Sequence, residues 1–238
     1  MGVMLLTSIM ARRRVNAPAG AVVSGNMRSM RTIAQIGVML AAGTLAFGQY
    51  KSEPAGAPPS DASPAIQAAL QKDGVRITGP KGTVCEIWLR TTAPSGPKSS
   101  ESDLTLPTIP HGALIGVIRF PDKGSDRRGT QIKPGVYTMR YSYYPVNGDH
   151  QGVAPQRDFA VLSLASTDTD LNATPAFDAL MAMSRKASGI QHPLVLSIFN
   201  PDPDYKAGFD KQGDTDWVLQ EKLGDLSFGI ILVGTAGS

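Results

Sequence analysis

Three histidines, His111, His150 and His192, are the residues of this 238-residue chain best suited to acid–base or metal chemistry, because imidazole changes charge near neutral pH and is a common metal ligand. Each stands beside an expected strand end: Pro110-His111-Gly112 before one strand, Asp149-His150 after another, and His192-Pro193 opening a third. Loops at one end of a β-domain lie close together, so His111, His150 and His192, with Asp149, form a candidate copper or zinc site. A hydrolase reading of the same region makes His150 the base, Asp149 or Asp158 its orienting carboxylate, and Ser142 or Ser163 the nucleophile. The plainer reading, which we prefer, leaves each histidine as an exposed loop residue, with Gly148 and Gly152 easing the turn around His150.

Two acidic stretches carry hard oxygen ligands. In STDTDLNATP, Asp168, Asp170 and Asn172 alternate like the opening of a calcium loop, yet Ala173 stands where an EF-hand needs Gly and Ala179 where it needs Glu. That stretch reads better as a turn and helix entry. NPDPDYKAGFDKQGDTDW supplies Asn200, Asp202, Asp204, Asp210, Asp214 and Asp216, which could gather a calcium ion, but aspartate and proline are also the ordinary material of solvated loops.

No Gly-x-Ser-x-Gly elbow, P-loop, His-Glu-x-x-His, Cys-x-x-Cys or dinucleotide fingerprint occurs. No cofactor is expected, and copper, zinc and calcium are the ions the loop clusters could take. Aromatics offer a different chemistry: Tyr141, Tyr143, Tyr144 and Trp88 could present a ring face to a sugar or a peptide. Their alternative use is as core.

The elements that would position these residues have a period of two. In Val84 to Arg90, Cys85, Ile87 and Leu89 share one face, with Glu86, Trp88 and Arg90 on the other. Ala113 to Phe120 is apolar enough for a central strand. In Val136 to Tyr144, Tyr137, Met139, Tyr141 and Tyr143 project one way and Thr138, Arg140 and Ser142 the other, after a Lys133-Pro134-Gly135 sequence that suits a type II turn. Further strands are expected at Asp158 to Ala165, Pro193 to Asn200, Asp216 to Leu223 and Leu226 to Gly234. Pro145, Asn147 and Gly148 should turn the chain between the third and fourth.

A short helix is expected from Pro64, capped by Ser63 and stopped by Gly74. A second starts at Thr174 and Pro175, carries Phe177, Leu180 and Met181 as its apolar stripe, and ends at Gly189. About seven or eight antiparallel strands with one or two short helices point to a mainly β fold, an antiparallel β-sandwich. The stretch IKPGVYTMRYSYYP resembles the Pro-Gly-x-Tyr turn-into-strand of uncharacterised exported bacterial β-sandwich proteins. That resemblance implies a fold and a compartment and transfers no site residue.

The first 48 residues differ in kind. They hold no Asp, Glu or Lys, and their charges are Arg12, Arg13, Arg14, Arg28 and Arg31. From Met27 the order is basic MRSMR, apolar Ile33 to Phe47, then Ala46-Phe47-Gly48 with small residues at the cleavage positions, the order of a signal peptide cut after Gly48. We expect translation to start at Met27 or Met30. The apolar run is shorter than the roughly 20 residues needed to span a bilayer, so no stable span is expected after cleavage. Without the five arginines the balance falls from 23 basic against 20 acidic residues to 18 against 20, a net of −2. The basic character belongs to the targeting segment and gives no reason for a nucleic acid partner. Cys85 is the sole cysteine, in an alternating apolar pattern, and reads as a buried hydrophobe.

The expected organisation is 1–48 as extension and signal peptide, 49–63 as a Pro/Ala/Ser linker, and 64–238 as one domain. Its expected function is that of an exported, periplasmic or secreted, non-catalytic binding or structural module for an envelope protein or polysaccharide, with the hydrolase or metal enzyme around His150 as the alternative.

Overall fold

The structure is a computed structural model; residues 50–146, 156–201, 204 and 206–236 are described. The strands are β1 (Lys51–Gly56), β2 (Gly74–Gly79), β3 (Gly82–Leu89), β4 (Leu114–Phe120), β5 (Gly124–Ser125), β6 (Gln131–Ile132), β7 (Gly135–Tyr143), β8 (Asp158–Leu164), β9 (Val195–Phe199), β10 (Gly208–Gln212), β11 (Asp216–Leu223) and β12 (Leu226–Val233). The helices are α1 (Pro64–Ala69) and α2 (Phe177–Ser188).

Ten strands form one antiparallel sheet in the order β1-β2-β3-β4-β7-β8-β9-β12-β11-β10, and β5 and β6 make a separate ribbon. The fold is mainly β as expected, but the sandwich is replaced by a single sheet rolled almost into a barrel. No ladder joins β1 to β10. Instead the Tyr50 ring bridges the seam, meeting Phe209 at 6.4 Å and Trp217 at 5.0 Å between ring centres.

Alternation explains the roll. Cys85, Ile87 and Leu89 of β3, Tyr137, Met139 and Tyr141 of β7, Leu162 of β8 and Ile230 of β12 all enter one buried cluster. A twisted sheet with a continuous apolar face buries it by curling over itself. The interior is packed with side chains. Leu106 and Ile109 of the 90–113 loop plug one end, and Ile132 of the ribbon plugs the other.

The outer face is covered in places. Ile66 and Leu70 of the α1 segment pack on Trp88, Leu114 and Val117. Leu180 and Met181 of α2 pack on Phe159, Val161 and Val195, where burying each side chain stabilises by about 1.5–3 kcal/mol. Strand β4 is apolar on both sides for this reason, with an irregularity between Leu114 and Gly116 that shifts its register.

Several boundaries differ from expectation. Residues 51–56, expected within a linker, form β1, because a ladder with β2 compensates for a sequence with no apolar alternation; Pro54 is tolerated there because β1 is an edge. The domain thus begins by Tyr50 and not at residue 64. Helix α1 ends at Ala69, and Gly74 opens β2. Ser63 sits at its N-cap, but its hydroxyl donates to Thr169 O at 2.8 Å, tying α1 to the 165–176 loop. Helix α2 starts two residues after Pro175, with Ala176 at the N-cap, and ends as expected at Gly189, whose φ of 75° needs a residue without Cβ. Gly135 opens β7 at φ 156°, far from the roughly +80° of a type II turn. Tyr137 OH donates to Lys133 O at 2.8 Å, which gives the Pro-Gly-x-Tyr sequence a physical reason: the ring locks the turn that precedes its own strand.

Candidate functional site

His111, in the loop before β4, meets Ser142 on the outer face of β7: Nε2 lies 3.0 Å from Oγ. The ring packs against Tyr143 at 5.7 Å and Phe177 at 5.9 Å. Burial lowers its pKa, partly opposed by a hydrogen bond to the Pro175 backbone. A carbonyl only accepts, so in the neutral ring the nitrogen facing Pro175 carries the proton and Nε2 accepts from the Ser142 hydroxyl. The polarity is that of a general base and its hydroxyl. Ser142 is wholly buried, however, and no substrate reaches its Oγ. The pair ties the loop before β4, strand β7 and the entry to α2 together.

The carboxylate proposed for a triad is on the other side of the sheet. Asp158 points inward and accepts from Tyr141 OH at 2.5 Å, Thr105 N at 2.8 Å and Leu106 N at 3.1 Å. It fixes the plug of the barrel end and cannot orient His111. Ser163 is buried on the outer face, its hydroxyl without a partner. His150 and Asp149 lie outside the described residues. His192 is exposed after α2, and its backbone carbonyl accepts from Ser188 Oγ. Among the described residues no group of three His, Cys, Asp or Glu side chains is arranged to hold a metal.

The acidic loops have other duties. Asp168 takes Arg140 Nε at 2.7 Å, Arg140 Nη2 at 2.7 Å and the Thr138 hydroxyl at 2.6 Å. The remaining Arg140 donors go to the carbonyls of Gly112, Ala173 and Asp170. All five guanidinium N–H groups are thereby used, and the calcium-like loop is an arginine clasp on the outside of β7. Asp170 Oδ1 receives Asn172 N, a local turn. In the second stretch, Asp216 is held by Arg127 Nε at 3.0 and 3.1 Å to its two oxygens.

Three of the four candidate aromatics present no ring to solvent. Trp88 is 1% exposed, donates from Nε1 to Gly56 O and lies beneath α1; Tyr141 is fully buried; Tyr144 packs on Phe159 at 4.4 Å. Parity had put Trp88 on the outer face, and α1 covers that face. Tyr143 is half-buried, with the Arg157 guanidinium 5.7 Å from its ring centre. Trp88, Tyr141 and Tyr144 thus take the alternative use, as packing.

What the sheet leaves open is a cleft at the end that carries Tyr50. One compartment of about 650 Å³ is floored by Val84, Phe120 and Leu232 and walled by the ribbon through Ser125 and Gln131. A second of about 630 Å³ runs along the β2–β3 turn, with Lys81, Thr83 and Asp122. They share Tyr50, Val84 and Lys123, and both volumes fall in the range of ligand pockets.

No family model matches the chain, and comparison with curated proteins and with solved structures returns no match.

The local sequence shapes this cleft. Gly79 lets Tyr50 lie on the backbone, since a Cβ there would stand 2.5 Å from the ring's Cε1. Arg127 clamps the ribbon to Asp216 at the start of β11, Ala236 N donates to Arg127 O at 2.7 Å, and Arg128 reaches Pro193 O at 3.1 Å. The walls are thus braced by buried and half-buried ion pairs. Sequence reading missed this place, although it left a signal: Gly79-Pro80-Lys81-Gly82, Pro121-Asp122-Lys123-Gly124 and Lys133-Pro134-Gly135 each set a lysine in a proline-glycine turn, and the sheet order brings all three to one end.

Proposed function

We propose that this chain is an exported, non-catalytic binding module of the cell envelope, and that its ligand occupies the cleft at the Tyr50 end of the barrel. The observation that carries the reading is the cleft itself: two adjoining compartments combine an apolar floor with hydroxyl, amide and ammonium groups on braced walls, the make-up of a recognition site. A catalytic reading has no equal support, because Ser142, the partner of half-buried His111, is itself fully buried and Asp158 lies on the opposite face. Export rests on the targeting order of residues 27–48.

The test is binding of the purified chain to envelope polysaccharide prepared from its host, with Ser125→Trp as the cleft-filling variant. Ser125 is exposed on the ribbon wall, so the substitution narrows the cleft without entering the core. Saturable binding lost in the variant supports the reading. Binding unchanged by Ser125→Trp, or ester hydrolysis abolished by Ser142→Ala, would remove it.

A further inference from the structure

We infer that the cleft takes a linear acidic polysaccharide, a polymer of uronic-acid type, with Lys81 and Lys123 meeting its carboxylates; this rests on the cleft being the ligand site. Both lysines are exposed, line the same compartment and make no ion pair among the described residues, and Asp122 is the one acidic residue on its wall. Two other lysines of the domain do have side-chain partners: Lys51 pairs with Glu53 and Lys222 donates to Ser227 Oγ. Lys133, on the neighbouring turn, lies over Gly189 at the C-terminus of α2, where an ammonium offsets the helix dipole. Two unpaired cations over a concave, half-apolar wall leave a local excess of positive charge that a ligand of opposite sign would complement.

The rest of the lining separates a sugar from an acidic peptide. An extended peptide is best held by an unpaired strand edge, whose N–H and C=O groups form the ladder. The main-sheet strands that floor the cleft, β3, β4 and β12, are paired on both sides, and no residue of the edge strands β1 and β10 lines it. The polar groups it offers are side-chain hydroxyls and an amide, from Thr83, Ser125, Thr235 and Gln131, and these match a polyhydroxylated chain. Tyr50, Pro80 and Pro134 add flat apolar surface of the kind a pyranose ring covers. Lys123, common to both compartments, places a cation where two successive sugar sites meet.

The test uses the full purified chain with oligomers of polygalacturonate, alginate and hyaluronate, the fully methyl-esterified galacturonate oligomer as a neutral form of the same backbone, and poly-L-glutamate. We expect saturable binding to at least one acidic oligomer, weakened about tenfold in the Lys81→Ala/Lys123→Ala double variant, from two exposed pairs worth up to about 1 kcal/mol each. Methyl esterification should weaken it similarly, and added salt should do the same. If the neutral oligomer binds as tightly and the lysine variant is unaffected, the acidic assignment falls while the cleft reading stands. If poly-L-glutamate binds and none of the acidic sugars does, the ligand class is wrong. No binding to any of the acidic oligomers, with host polysaccharide binding still sensitive to Ser125→Trp, rejects the uronic class alone; no sensitivity to Ser125→Trp rejects the site.

Discussion

Arg140 and Asp168 face each other in a two-pronged pair beneath the surface of the domain, with Nε to Oδ2 and Nη2 to Oδ1 both at 2.7 Å and the arginine side chain fully buried. Removing one partner leaves an uncompensated buried charge, which costs about 3–5 kcal/mol. Asp168→Ala is expected to lose stability on that scale in urea unfolding. Arg140→Lys should also be costly, since one ammonium cannot reach the five acceptors that the planar fork reaches. A loss below about 1 kcal/mol for both variants would show that the clasp is not what holds the 165–176 loop to β7.

His111 gives the domain an acid-side dependence. Burial holds its folded pKa below the ordinary value, so below about pH 6.5 the unfolded chain binds the extra proton and the folded chain resists it. The contribution is full above that pH and is lost as pH falls. His111→Gln, which keeps a side chain able to bond Ser142, should show a smaller drop in urea midpoint between pH 7.5 and pH 5 than the parent chain. Equal drops in both would mean that the imidazole is not the titrating group.

On the alkaline side the sign reverses. Burial, reinforced by the hydrogen bond to Asp158, raises the Tyr141 pKa, and burial with the neighbouring Glu86 charge raises that of the Cys85 thiol. The unfolded chain releases these protons near about pH 8.5 for the thiol and 10 for the phenol, and the folded chain does not. Stability is therefore whole below about pH 8.5 and falls above it. Urea midpoints measured from pH 8 to pH 11 should decline, and Tyr141→Phe should flatten the part above about pH 10. Cys85 should also react with a thiol reagent only as fast as the domain unfolds; rapid labelling of the folded chain would contradict its burial.

Export is expected to leave a chain beginning at Gln49, just before the residue that bridges the barrel seam. Mass-spectrometric reading of the N-terminus of protein recovered from its host checks this. An intact Met1 on a cytosolic form would overturn the compartment assignment and, with it, an envelope polymer as ligand.

Strands β3, β4, β7, β8, β9, β11 and β12 are legible in the sequence because alternation is a local property: a residue's face is set by its parity, whatever the strand pairs with. The same holds for α2, whose stripe and terminal Gly189 are read from neighbours a few residues apart, and for the solitary Cys85 at an inward position. Strands β1, β2 and β10 are not legible in this way. The edge sequence KSEPAG is mostly exposed and GFDKQ buries only Phe209, and a partner strand makes them extended without their own composition demanding it. Parity placed Trp88 outward correctly but could not say that α1 would cover it. It placed Arg140 outward too, without the clasp that Asp168 makes from 28 residues away. Sandwich and barrel share one alternation, and the choice between them rests on β9 pairing with β12, which brings β10 round toward β1. The cleft is likewise tertiary: Tyr50, Lys81, Lys123 and Leu232 are distant in the chain, and they meet because curling the sheet buries its apolar face and gathers its turns at one end.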